Sequence, residues 1–192
     1  MRYPSEHKAE TRKRILSAAA RLFRERGYAG IGIDAIMSEV GLTAGGFYAH
    51  FDSKETLFAQ AIATALDEGR SARAQQSSQL AAMDPLQAMI KSYLSRTHRD
   101  QIASGCPLPT LTPDVARSGE ATRESYERQF LGYLSAIEMM LPEDREHKRE
   151  TALAVAAQLI GGLMIARAVK DEKLSDQVLK ASRRAATKIC EE

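Results

Sequence analysis

Cysteine is scarce, with Cys106 and Cys190 far apart in a chain of 192 residues. Two such residues match no metal or redox spacing and build no disulfide framework, which points to a reducing, cytoplasmic compartment. Chemistry-bearing motifs are missing as well. None of the four histidines (His7, His50, His98, His147) has another four residues away, and neither HExxH nor CxxC occurs, so no metal site is expected. Gly30-Ile31-Gly32 lacks a third glycine and a preceding strand, and Walker A and GxSxG sequences are absent, which removes the phosphate loop and the nucleophile elbow. Carboxylate neighbours such as Glu143-Asp144 sit beside proline and charge runs and read as solvated. The expectation is a protein that is not an enzyme and needs no cofactor. Long apolar runs are missing too: the longest uncharged stretch, Thr151 to Ala166, is stopped by Arg167, short of the roughly 20 residues of a membrane span. It is expected to be a buried helix. The opening Met1–Glu10 is polar and charged, unlike a secretory signal.

What is present is ample material for a core, 44% apolar residues with 27% charged and no tryptophan. That fits one ordinary domain or two small ones. The net charge is only +2 but is unevenly spread: residues 1–26 hold eight Lys/Arg against three acids, and the rest holds 19 against 22. A basic head on a mildly acidic body suits a polyanionic partner, with a solvated basic helix face as the plainer alternative.

Hydrophobic spacing is helical almost throughout. Ile15, Ala19, Leu22 and Phe23 share a face of a first helix that Gly27 stops. A short helix from about Ile33 to Val40 buries Ile33, Ile36, Met37 and Val40; after a Gly41-Leu42 turn, Thr43 is placed to cap a second short helix through Phe51. Asp52 or Ser53 starts the next helix, with Asp52-x-x-Glu55 as a capping box, and Leu57, Phe58, Ala61, Ile62, Ala65 and Leu66 give its stripe. Residues 69–82 favour helix weakly. Asp84-Pro85 opens a helix running towards Ala103, residues 104–109 form an irregular turn, and Thr112-Pro113 opens a short helix that Gly119 ends. A helix marked by Tyr126, Phe130, Tyr133, Leu134, Ile137 and Leu141 closes at Pro142. Two more run from about Asp144 to Val169 and Ser175 to Ile189. The fold class is all-α, about nine helices.

Two short helices joined by a glycine-containing turn have the spacing of a helix-turn-helix, in which the second helix enters the major groove and the first fixes its angle. An ordinary helical hairpin is the alternative. The residues go further than the pattern. Ile15-Leu16-Ser17-Ala18-Ala19-Ala20-Arg21-Leu22-Phe23-Arg24-Glu25-Arg26-Gly27-Tyr28, Ile33-Asp34-Ala35-Ile36 and Val40-Gly41-Leu42-Thr43-Ala44-Gly45-Gly46-Phe47-Tyr48-Ala49-His50-Phe51-Asp52-Ser53-Lys54-Glu55-Thr56-Leu57 strongly resemble the TetR family of bacterial repressors over residues 9–58. The resemblance implies a helix-turn-helix DNA-binding domain at 1–53, a helical ligand-binding and dimerising body at 54–192, and a homodimer on a palindromic operator released by a small molecule. It places Thr43, Tyr48, His50 and Lys54 on the DNA backbone, Ala44, Gly45 and Gly46 nearest the base edges, and Arg12, with Lys13 and Arg14, at a phosphate. Ala44 and Gly46 depart from the family's usual lysine and larger or hydroxyl side chain, which favours backbone approach and phosphate-borne affinity. Arg2 and Lys8 are expected in a tail reaching the minor groove.

In the body, Tyr93, His98, Cys106, Tyr126, Phe130 and Tyr133 are the candidate effector pocket, with Met83, Met89, Ile137, Met139 and Met140 as apolar lining; plain core is the competing reading. Arg96 and Arg99 could meet an acidic group. Leu153, Ala157, Ile160, Gly161 and Met164, with Ala156, Leu163, Ala168 and Val178, form apolar stripes wide enough for a partner-chain four-helix bundle, and Gly161-Gly162 suggests close helix approach. Cys106, in an irregular turn, either senses oxidants or electrophiles, as the resemblance permits, or packs as a small hydrophobe. Two rivals stay open: a helical small-molecule-binding dimer without operator recognition, and an enzyme.

Overall fold

The computed structural model describes residues 5–77 and 82–191; Arg2 therefore lies outside the described residues. Among these the fold is entirely helical: α1 (Ser5–Arg26), α2 (Ile33–Glu39), a 3-10 helix η1 (Ala44–Ala49), α3 (Lys54–Ser77), α4 (Pro85–Tyr93), α5 (Arg96–Asp100), α6 (Leu108–Ala116), α7 (Glu120–Glu138), α8 (Lys148–Ala168) and α9 (Glu172–Glu191). Lys8 belongs to α1 rather than to a tail.

The head is built by local rules. Gly27 and Gly41 take left-handed φ values of 71° and 73°, which only glycine adopts without strain. At the end of α2, Leu42 N–H bonds the Met37 carbonyl at 2.9 Å and Gly41 N–H that of Ser38 at 3.0 Å, the two bonds of a Schellman turn. The helix after it is shorter and tighter than the spacing predicts, a six-residue 3-10 segment; Gly45 and Gly46 disfavour α-helix by roughly 1 kcal/mol each against alanine. Thr43 is its N-cap in position but makes no side-chain capping bond. The expected Asp52–Glu55 box is replaced by Ser53, whose Oγ accepts Thr56 N–H at 3.0 Å, while Glu55 reaches across to α7, accepting Gly119 N–H at 2.8 Å and the Thr122 hydroxyl at 3.3 Å.

In the body the caps decide the boundaries. Asp84 accepts from Leu86 and Gln87 N–H, both at 3.0 Å, as its Asp-Pro start predicts. The helix stops at Tyr93, not near Ala103, because Ser95 caps a new helix by accepting His98 N–H at 3.1 Å and so competes with continuation. α6 starts at Leu108, earlier than Thr112-Pro113, since Pro107 already has helical φ and ψ and Pro109 sits in the first turn, where a missing N–H costs nothing. Gly119 caps α7 rather than ending α6. α9 begins at Glu172, where the Asp171 carboxylate accepts Leu174 N–H at 2.9 Å.

One core runs through head and body. Phe23, Phe58 and Tyr28 form an aromatic cluster with centroids 4.8 to 6.0 Å apart, joining α1 to α3. The most extensive pairing is α8 on α9. Gly162 makes it possible: a Cβ there would fall 2.4 Å from Ser182 Oγ of α9. Of the glycine pair, Gly162 thus makes a close approach inside the chain, and Gly161 faces open space. α8 is long and apolar enough by length and composition to cross a membrane, but Ala152, Val155, Ala156, Leu159, Leu163 and Ala166 are buried in the fold.

Candidate nucleic-acid interface

Phe47 organises η1. It is fully buried, meeting Phe51 at 5.7 Å and Tyr48 edge-on at 5.2 Å between centroids. With that ring turned inward, the 3-10 repeat turns Thr43, Gly45, Tyr48 and Ala49 to solvent, with Ala44, Gly46 and His50 half-buried beside them. Tyr48 is 67% exposed, a large cost in uncovered apolar surface for a residue with only an intrachain role. A Cβ on Gly45 would meet nothing within 4 Å, and one on Gly46 only the tip of Met37 at 3.8 Å. Neither glycine is demanded by packing.

The cations predicted here divide into two groups. Arg12 is used inside the head: its guanidinium donates to the His50 carbonyl and to Gln60 Oε1 and lies over the Phe51 ring at 4.1 Å. It braces the end of η1 against α3. Lys54 likewise donates to the Tyr28 carbonyl at 2.6 Å and sits 4.3 Å from the centre of its ring; burial lowers its pKa, partly opposed by Asp114. Both are expected at DNA phosphates from sequence, and in this structure both engage partners within the head. Lys8 and Lys13 stay exposed on α1. Lys8 lies near enough to His50 to act on it: the imidazole pKa is lowered, first by burial and then by the charges of Lys8 and Arg12. The first turns of α1 thus place positive charge beside the end of η1.

Sequence reading missed three arginines. Arg24 of α1 is 3% exposed and holds head to body, donating to the Glu68 carboxylate at 3.1 Å, to the Ala65 carbonyl at 3.3 Å and, at a long 3.5 Å, to that of Gly105. Arg167 of α8 caps α5, donating to the carbonyls of His98 at 2.7 Å and Arg99 at 3.1 Å. Arg145 does the same for α9 at the Ile189 and Cys190 carbonyls. Burial lowers the pKa of both Arg24 and Arg167.

The body residues chosen from sequence do gather. Tyr93 meets His98 edge-on at 4.7 Å and Tyr133 at 6.4 Å, and Tyr126 stacks on Phe130 at 6.1 Å with its hydroxyl 2.7 Å from that of Thr112. The His98 ring bridges the Tyr93 carbonyl at 2.7 Å and Cys106 N–H at 3.0 Å; accepting from Cys106 at Nε2 fixes the proton on Nδ1. Cys106 is fully buried. Met139, 81% exposed, and the partly exposed Met140 lie outside this cluster, contrary to expectation, because α7 ends at Glu138 and the chain turns to solvent; the partly exposed Met83 lies just before the Asp84 cap of α4. Arg96 and Arg99 pair with Asp176, and Arg99 also with Asp100 and Ser175, so they fasten α5 to α9. On α8, Leu153, Ala157, Ile160, Gly161, Met164 and Ala168 face outward or lie half-buried, beside half-buried Val178 of α9, whereas Ala156 and Leu163 belong to the core.

A solvent-facing helix-turn-helix flanked by the basic first turns of α1, on a helical body, defines a DNA-binding transcriptional regulator. The family model of the bacterial regulatory proteins of the tetR family matches residues 15–61. Over that stretch, which holds most of α1 together with α2 and η1, the chain is similar to the TetR family. It is 28% identical to the HTH-type transcriptional regulator LmrA of Bacillus subtilis (strain 168), covering 84% of this chain and 89% of that protein. Its fold superimposes on a TetR-family regulator from Cytophaga hutchinsonii with a TM-score of 0.77 at 20% identity, over the whole of both chains. A transcriptional regulator from Saccharomonospora viridis, solved in complex with choline, gives a TM-score of 0.68 at 19% identity, over 92% of this chain and 95% of that one.

Proposed function

We propose that this regulator binds a palindromic operator in the cytoplasm as a homodimer and leaves it when a small molecule occupies the body. The observation that carries the DNA part is the outward face of η1: Tyr48 and Thr43 offer hydroxyls to phosphates, Ala44, Gly45 and Gly46 offer a bare backbone to the base edges, and Lys8 and Lys13 supply the counter-charge. Arg12, Lys54 and His50 serve that face indirectly, by holding it.

Dimerisation is read from the outer face of α8, where Leu153 (42% exposed) and Ile165 (54% exposed) flank Ala157, Ile160, Gly161 and Met164. An apolar stripe of that size is stable in water when a second copy covers it as a four-helix bundle. The effector site is the cluster of Tyr93, His98, Tyr126, Phe130 and Tyr133, apolar with phenolic hydroxyls to orient a ligand. A ligand that alters the spacing of the two heads weakens operator binding, and operator weakens ligand binding by the same factor. The burial of Cys106 favours this trigger over thiol modification.

The test is selection of genomic fragments by the purified protein, followed by affinity measurement on the recovered palindrome. Tyr48→Ala should weaken binding, and wild-type affinity should fall steeply with salt. Unchanged affinity in Tyr48→Ala removes the assignment. Gly161→Leu should shift sedimentation towards monomer, and a monomeric wild type refutes the dimer.

A further inference from the structure

Between head and body lies an open cleft of about 520 Å³, bounded by α1, the end of α2, α3 and the turn before α6. It is separate from the η1 face and from the aromatic cluster of the body. Arg14, Arg21 and Arg24 line it against only two acids, Glu39 and Glu68, with Ser17 and Ser104 on its walls. The acids are already engaged: Glu39 with Arg21 at 2.5 Å and Glu68 with Arg24 at 3.1 Å. Arg14 is different. Its guanidinium gives one N–H to the Val40 carbonyl at 2.7 Å and, among the described residues, pairs with no carboxylate. Arg24 adds a charge at the cleft wall that water does not reach, and its buried Nε has no partner.

We propose that this cleft is a binding site for a small oxyanion, a carboxylate or phosphate group, held by Arg14 and Ser17 of α1 and by Ser104 of the turn. A guanidinium with unused N–H groups accepts an oxyanion through paired charge-assisted bonds, and the two hydroxyls donate to its remaining oxygens. The bound anion ties α1 to residues 103–104 and so joins the DNA-binding head to the sensing body at a second point beside Arg24. Any effect of the anion on operator affinity is mirrored by an equal effect of operator on anion affinity.

Arg14 is also a sequence candidate for an operator phosphate, so the test uses the full-length protein without DNA. Thermal melts compare inorganic phosphate, acetate and chloride at matched ionic strength. Wild type should melt higher in phosphate or acetate than in chloride by roughly 3–6 °C when the site is saturated; which of the two is stronger tells a phosphate from a carboxylate ligand. Arg14→Gln and Ser104→Asp, both on exposed residues of separate elements, should each lose most of that rise, while Lys13→Gln, an exposed cation outside the cleft, keeps it. Equal rises in wild type and either cleft variant mean a general salt effect and overturn the proposal, as does no rise in wild type.

Discussion

Replacing Gly45 should move stability and DNA binding in opposite directions. Its backbone lies outside the left-handed region and a Cβ would touch nothing within 4 Å, so the folded head accepts alanine unstrained. Alanine reduces the conformational entropy of the unfolded chain, and Gly45→Ala should stabilise by about 0.5–1 kcal/mol, a rise of roughly 1–4 °C in Tm for a chain of this size. Gly45→Leu should also fold, because the same open space receives the longer side chain. That space is where we place the base edges, and filling it should weaken operator binding by about 1–3 kcal/mol, roughly 5- to 150-fold. Thermal melts read the first quantity and fluorescence anisotropy on the selected palindrome reads the second. The salt slope should hardly change, since phosphate contacts are untouched. A lower Tm for Gly45→Ala would refute the packing account; wild-type affinity in Gly45→Leu would refute the placement of this backbone against the bases.

Arg24→Met removes three contacts between head and body, and because Glu68 is 40% exposed and can be rehydrated, the loss should be about 2–3 kcal/mol, read as a lower urea midpoint. Lys54→Met should lower stability by about 1–2 kcal/mol while leaving the salt slope of DNA binding unchanged, since its ammonium serves the Tyr28 carbonyl and ring; a slope smaller by about one would return it to the phosphates. The Asp176 carboxyl is held below the usual carboxylate range by its hydrogen bond to Arg96 and by the charges of Arg96, Arg99 and Arg183. Its stabilisation is therefore complete above the ordinary carboxylate pKa and is lost as pH falls through the depressed value. The stability gap between wild type and Asp176→Asn should close on acidification, and a pH-independent gap would exclude the ion pair as its source. Alkylation of the native protein should label half-buried Cys190 slowly, its thiol pKa raised by burial, and reach Cys106 only on unfolding. Prompt labelling of Cys106 would reopen its sensor role.

The local elements were legible in residue order because their causes lie within a few residues. Gly41 ends α2 because the left-handed turn needs it; Asp84-Pro85 starts α4 because the carboxylate and the ring both suit a first turn; Phe47 and Leu57 face inward because their neighbours at helical spacing do. The helix-turn-helix spans fewer than twenty residues, so sequence carried its existence and its exposed residues. What sequence could not decide is where the long cations end. Arg12, Arg24, Lys54, Arg145 and Arg167 all donate to backbone carbonyls of elements distant in the chain. A carbonyl is present at every position, so no residue type announces the partner. The same holds for the two glycines of α8. Adjacent in sequence and alike in composition, Gly161 and Gly162 differ by one helical step of about 100°, and only the packing of α9 decides that one admits Ser182 while the other is left facing solvent.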